Sequence, residues 1–267
     1  MPDLVRTERL DNGVVVVTLD SPPVNALSRA LLVELAGIAE ELALDAEVKA
    51  VVLCGAGRMF AAGADVSEFG GPEEARVVTG AFRVAGDTLG TIPRPTIAAL
   101  HGAALGGGLE IALACDLRVA LASTKLGQPE ILLGLIPGGG GSQRLSRLIG
   151  PARTKEIVWS GRQLRAAGAL ELGIVDRIVE HPGDDDTAPA DIIREAAVEW
   201  ASELASGAVV AMGLVKRAID DGLDGTLADG LDRESDAFVK VFETEDAAAG
   251  VASFLDHGPG QAEFRGR

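Results

Sequence analysis

Tyrosine is absent from this 267-residue chain, and histidine, cysteine and tryptophan are scarce, at three, two and two residues. No phenol is therefore available as a general acid. His101, His181 and His257 are too scattered to form a metal site, and each reads as a structural or solvated residue. Cys54 and Cys115 lie in apolar company without metal-ligand spacing. They read as buried, reduced thiols of a reducing compartment. The side chains left for proton transfer are carboxylates.

Basic residues are also in deficit, 24 against 40 acidic ones, for a net charge of −16. A field of that sign repels nucleic acid and anionic membranes, and no basic stripe overrides it. An anionic ligand must be held by local amides or by a few lysines and arginines. No uncharged apolar run reaches membrane-spanning length, and the opening MPDLVRTERL lacks a signal-peptide pattern. A soluble, cytoplasmic protein without nucleic-acid or membrane partners is expected.

Nucleotide-binding fingerprints are missing too, despite 34 glycines. Gly55-Ala-Gly57 is followed by Arg-Met-Phe and Gly106-Gly-Gly108 by Leu-Glu-Ile, so neither completes G-x-G-x-x-G. No G-x-x-x-x-G-K-[ST] and no G-x-S-x-G is present.

What the chain does have is apolar substance, 47% of its residues, enough for one large core or a core with an appendage. Short β-branched runs read as strands: Val14–Leu19, Lys49–Leu53, Pro95–Leu100, Asp116–Ala120 and Gly173–Val179. Between them lie helix-period stretches. In SRALLVELAGIAEELALD, Leu31, Leu32, Leu35, Ile38, Ala39 and Leu42 form one stripe behind a Ser28 N-cap. Alternation of this kind predicts an α/β core. The polar segment His181–Ala190 reads as a linker. Beyond it three helical stretches follow, the last with Leu227, Leu231, Phe238, Val241 and Phe242 on one face. Such faces either fold back on the core or meet another subunit, and a subunit interface is expected. The division is residues 1–186 as core and 187–267 as a helical oligomerisation region.

Three stretches carry candidate chemistry. In GAALGGGLE, a helix beginning near Gly106 would leave the amides of Gly106 to Gly108 among its unpaired first-turn donors, at the positive end of the helix. The Gly107 N–H could hold an oxygen acquiring negative charge, with no β-carbon in the way. Glu110, three residues on, leans back over the same face. The competing reading is a tight strand-to-helix connection with Glu110 as a favourable first-turn acid. In GQPEILLGLIPGGGGSQRL, Glu130 precedes an apolar run that could desolvate it and keep it protonated. A plain helix-start glutamate behind a proline is the alternative. In GRMFAAGADVSEF, the backbone around Ala64 could again approach a ligand closely, while Asp65 and Glu68 read as cap or surface residues.

Together with PPVNAL (Pro22–Leu27) and the C-terminal FRGR, these stretches resemble the crotonase, or enoyl-CoA hydratase/isomerase, superfamily nearly end to end. The resemblance implies an α/β spiral of ββα units followed by a C-terminal helical trimerisation region, giving homotrimers or homohexamers. It implies that the amides of Ala64 and Gly107 form an oxyanion hole for an acyl-CoA thioester. Hydratases keep two glutamates, here Glu110 and Glu130, implying syn hydration of a trans-2-enoyl-CoA. Glu110 would activate the water and Glu130 would protonate C2. Val24 and Ala62 would contact the CoA portion, Gly138 would line the acyl pocket, and Asp65 and Val66 would also be substrate-binding. No metal or redox cofactor is implied, coenzyme A being part of the substrate. Isomerase, hydrolase and non-catalytic acyl-CoA-binding readings are the alternatives. Two departures stand out: no lysine follows Phe254, and His101 stands where asparagine is common.

Overall fold

Residues 3–181 and 187–267 are described by a computed structural model of the chain. The first part runs β1 (Val5–Arg9), β2 (Val14–Leu19), α1 (Arg29–Leu44), β3 (Ala50–Gly55), α2 (Pro72–Gly90), β4 (Thr96–Leu100), β5 (Ala103–Leu105) and α3 (Gly107–Ala112). Then come β6 (Leu117–Leu121), β7 (Lys125–Gly127), α4 (Gly141–Ile149), α5 (Pro151–Ser160), β8 (Leu164–Arg165), α6 (Ala166–Leu172) and β9 (Arg177–Val179). Four helices close the chain: α7 (Pro189–Ala205), α8 (Val209–Gly222), α9 (Leu227–Val241) and α10 (Glu245–His257).

Six strands form one sheet in the order β1-β2-β3-β4-β6-β9. Among the described residues of this sheet, only the β1–β2 pair is antiparallel; β3, β4, β6 and β9 each add in parallel. A continuous VVVV run suits this position because β2 is buried on both faces. Val15, Val17 and Leu19 enter one core with α1 and α2, while Val14 and Val16 enter a second core with α7. Full burial of each such side chain contributes up to about 1.5–3 kcal/mol. A second sheet, β5-β7-β8, stands apart and carries the strand that leads into α3.

The Ser28 hydroxyl caps α1 by accepting from the Leu31 N–H, as expected. The expected strand over Gly173–Val179 shrinks to Arg177–Val179. Gly173 adopts φ 78° and ends α6 in the left-handed conformation, which breaks the extended run. Of the expected linker, residues 182–186 lie outside the described residues, and Pro189 already opens α7, a position suited to its fixed φ.

The helical tail divides between the two fates open to an apolar face. Helix α7 folds back, burying Ile193, Ala197, Trp200, Ala201 and Ala205 against the sheet. Helices α8 and α9 pack on each other, and Leu227, Leu231, Phe238, Val239 and Phe242 of the α9 region stay exposed. Among the described residues, no single helix is long and apolar enough to cross a membrane. The α7–α8 pair passes on composition only across a 101° bend.

Candidate active site

The three glycines after β5 do three different things. Gly106 turns the chain at φ 50° and ψ −124°, a conformation that favours glycine. Its N–H donates to Gly127 O at 2.9 Å, so it is not one of the free donors expected there. A β-carbon on Gly108 would stand 2.5 Å from Ala61 O, so α3 can pack on that segment only through glycine. Gly107 lies between them. A β-carbon on it would lie 2.5 Å from Phe82 Cζ and 3.2 Å from the Ala64 amide nitrogen.

Ala64 is brought there by a narrow ribbon of backbone bonds. Leu27 N–H donates to Gly63 O at 2.9 Å and Asp65 N–H to Leu27 O at 3.1 Å, which leaves the Ala64 N–H to the other edge. Gly63 has φ 128°, again a glycine conformation. Ala62 N–H donates to Val24 O at 3.0 Å, joining the two segments expected to share a ligand. Among the described residues, neither the Ala64 nor the Gly107 N–H has a hydrogen-bond partner. Two free donors, one at a helix N-terminus, thus stand within a few ångströms of each other.

Asn25 fixes this ribbon from inside. It is buried at φ 50°, and its amide nitrogen donates to the carbonyls of Ala56, Met59 and Phe60 while its oxygen accepts from Ser21 N–H. Asparagine is among the few residues that enter the left-handed region readily.

Glu110 is 3% exposed, and its Oε1 accepts from Gly139 N–H at 2.8 Å and Gly141 N–H at 2.7 Å. Burial pushes its pKa up, while both amides and the Arg144 guanidinium oppose that and favour the ionised form. Glu130 opens a 3₁₀ turn, Glu130–Leu133, with Pro129 at its cap rather than inside it. Its pKa is pushed up to about 7, chiefly by burial; its own backbone N–H opposes this and negative Glu110 adds to it. The two carboxyls therefore sit in unequal environments.

Gln128, fully buried, lies between them. A β-carbon on Gly141 would be 2.9 Å from both Glu110 Oε1 and Gln128 Cδ. With its nitrogen toward Glu130, the Gln128 amide donates to Oε1 at 2.7 Å and Oε2 at 3.2 Å. Turned the other way, its oxygen suits a protonated Glu130. The amide can serve either state.

Asp65 caps the short 3₁₀ turn Val66–Glu68, accepting from Ser67 N–H, and Val66 is exposed beside it. Glu68 accepts from Arg29 N–H at 2.8 Å and so caps α1. Gly138 faces α2, where a β-carbon would meet Thr79 Cγ2 at 2.8 Å. With Gly139, Gly140 and Arg144 it lines a cavity of about 1370 Å³ between α2, α4 and α8. Ala64, Gly107, Glu110 and Glu130 are not in that lining, so the cavity is not the space around the two amides. Cys54 and Cys115 are buried free thiols, Cys115 pushed up to about 12 by burial. His101 is buried with Nε2 3.0 Å from Gly57 O, and burial lowers its pKa. Among the described residues, no three His, Cys, Asp or Glu side chains are grouped to hold a metal ion.

The sequence profile described as enoyl-CoA hydratase/isomerase matches residues 9–266. The chain belongs to the enoyl-CoA hydratase/isomerase family. It is 39% identical over 253 residues to the short-chain-enoyl-CoA hydratase of Clostridium acetobutylicum, covering 92% of each chain. The enoyl-CoA hydratase structure from Bacillus anthracis superposes with a TM-score of 0.89 at 36% identity, over 99% of this chain and 100% of that one. Pseudomonas aeruginosa DspI gives 0.89 at 30% identity, over 98% and 97%. The spiral α/β architecture implied by the motifs is that of this family.

Residue reading missed the groups that hold Glu110 in place. Gly139, Gly141 and Gln128 stand in GQPEILLGLIPGGGGSQRL, where sequence alone marks Gly138 and Glu130. Nothing local marks a glycine amide as the partner of a residue 29 or 31 positions earlier.

Proposed function

We propose that this chain is an enoyl-CoA hydratase, adding water reversibly and syn across a trans-2-enoyl-CoA to give 3-hydroxyacyl-CoA. The thioester carbonyl oxygen accepts from Ala64 and Gly107 N–H, each donor being worth about 3–4 kcal/mol as charge develops. Ionised Glu110 orients a water and takes its proton as the oxygen attacks C3. The alkene electrons move onto the thioester as an enolate, and protonated Glu130 returns a proton to C2. One carboxyl ends protonated and the other ionised, so a proton exchange resets the pair.

The observation that carries this reading is the inequality of the two carboxyls. Burial raises both carboxyls, but at Glu110 two N–H donors and the Arg144 guanidinium oppose it, whereas at Glu130 only its own backbone N–H does and negative Glu110 adds to the rise, to about 7. Two equivalent glutamates would each suppress the other's ionisation. Val24 and Ala62 contact the CoA portion, Gly138 lines the acyl pocket, and Asp65 and Val66 are also substrate-binding. Coenzyme A is part of the substrate, and the reaction as written calls for no metal or redox cofactor. The exposed apolar face of α9 supports assembly into trimers or hexamers. A cytoplasmic place in fatty-acid β-oxidation accords with this chemistry.

Loss of enoyl-thioester absorbance with crotonyl-CoA tests the reading. Wild type turns over, and Glu110→Gln and Glu130→Gln each fall at least about a hundredfold. CoA-ester binding without hydration of short, medium or long enoyl chains would sink it and bring forward isomerase, hydrolase or binding-only readings.

A further inference from the structure

The turn that holds Glu110 consists of four consecutive glycines, Gly138 to Gly141, the residues with the most backbone freedom to lose. No side chain within the turn can brace it. The brace comes from Arg144, one turn into α4. Its Nη1 donates to Gly139 O at 3.1 Å, and its Nη2 donates to Asp87 Oδ1 at 3.0 Å near the end of α2. Its own backbone N–H donates to Gly140 O at 2.7 Å. The Gly139 carbonyl belongs to the peptide between the two that donate to Glu110. Arg144 therefore holds two successive carbonyls of the segment whose amides grip the carboxylate.

Space is cleared for this guanidinium on two sides. A β-carbon on Gly86 of α2 would lie 3.0 Å from both Nη1 and Nη2, and one on Gly140 would collide with Nη1. Arg144 is the positively charged group acting on Glu110, and the charge of Glu110 in turn raises neighbouring Glu130. Asp87, which also pairs with Arg83 at 3.4 Å, offsets part of the Arg144 charge. Asp87 is about half exposed, and ion pairs of that kind contribute little stability. What this pair supplies is direction.

We infer that Arg144 is a positioning residue for the reacting carboxylate, clamping the glycine turn between α2 and Glu110. Its kinetic readout rests on the hydratase reading. Arg144→Met, Arg144→Lys and Asp87→Asn are compared with wild type across pH, with unfolding midpoints recorded for each. Misplacing a reacting group by about an ångström costs roughly a hundredfold, so Arg144→Met is expected to lower kcat about 10- to 100-fold with KM little changed. Its acid limb moves to higher pH, because losing the cation makes Glu110 harder to ionise. Arg144→Lys recovers part of the loss, and Asp87→Asn shows a smaller loss of the same kind. In a Glu110→Gln background, Arg144→Met lowers kcat by less than about threefold, since the two act as one unit.

An Arg144→Met enzyme with unchanged kcat and an unmoved limb overturns the inference. So does an equal loss in the Glu110→Gln background. If wild type hydrates no enoyl-CoA, the hydratase reading alone falls, and carbon-13 NMR titration of the Glu110 carboxyl decides. An upward move in Arg144→Met supports the clamp, and an unmoved titration refutes it.

Discussion

The substitution Glu130→Gln keeps the side chain's shape and removes its proton equilibrium. In the folded protein this carboxyl titrates at about 7 against an ordinary value of 4.5. Because the native value lies above the unfolded one, the native state holds the proton more tightly. Wild-type stability therefore falls as pH rises from 4.5 to about 7 and stays lowered above that. A tenfold change in proton affinity is worth about 1.4 kcal/mol, which sets an upper limit of about 3.4 kcal/mol. Glu130 is partly open to water, and screening reduces this to about 1–2 kcal/mol. Glutamine carries no such penalty, and Gln128 can pair with its amide. Urea unfolding of both proteins at one protein concentration, at pH 4 and pH 8, measures the difference. The variant is expected to be more stable at pH 8 by about 1–2 kcal/mol and equal at pH 4, while losing activity. Equal stability at pH 8, or the same difference at both pH values, would refute an unfavourably buried Glu130.

Two further substitutions probe the backbone. Gly107→Ala puts a methyl group 3.2 Å from the Ala64 nitrogen and against the Phe82 ring, 2.5 Å from its Cζ. It should cut kcat/KM for crotonyl-CoA at least about a hundredfold, the effect of losing one such donor; retention within threefold would count against the amide pair. Asn25→Ala strips three carbonyls and the Ser21 N–H of their partner and forces alanine to φ 50°. A loss of about 2–4 kcal/mol is expected in thermal or urea unfolding, and an unchanged midpoint would refute it.

How far the chain could be read from its sequence follows the range of the forces involved. The strand Val14–Leu19 matches residue for residue, because an apolar run buried on both faces needs no context to be recognised. The Ser28 cap was legible for the same reason, since its partner is three residues away. The run Gly173–Val179 was misread where one left-handed glycine outweighed six residues of strand propensity. The helical tail was legible as helices, but which would fold back was not. Helix α7 and helix α9 both show an apolar face, and only tertiary packing sends α7 onto the sheet.

The candidate site is harder to read than the fold because it is built largely from what side chains leave out. Its two donors are backbone amides, which every residue but proline carries, so their identity is written only in the space around them. At Gly107 that space is set by Phe82 and Ala64, at Gly108 by Ala61, and at Gly139 by Glu110 and Phe82, all distant in sequence or on other segments. A glycine run announces that something must come close, yet not what. Glu110 could be noticed as a first-turn acid, but its burial and its two amide partners come from a turn about thirty residues later. Only the order of several long motifs, matched together, encodes those distant contacts. Residue chemistry narrowed the candidates to two carboxylates and a glycine-rich backbone. The fold then made the two carboxylates unequal, because two amides and Arg144 offset burial at Glu110 while at Glu130 only its own backbone N–H does.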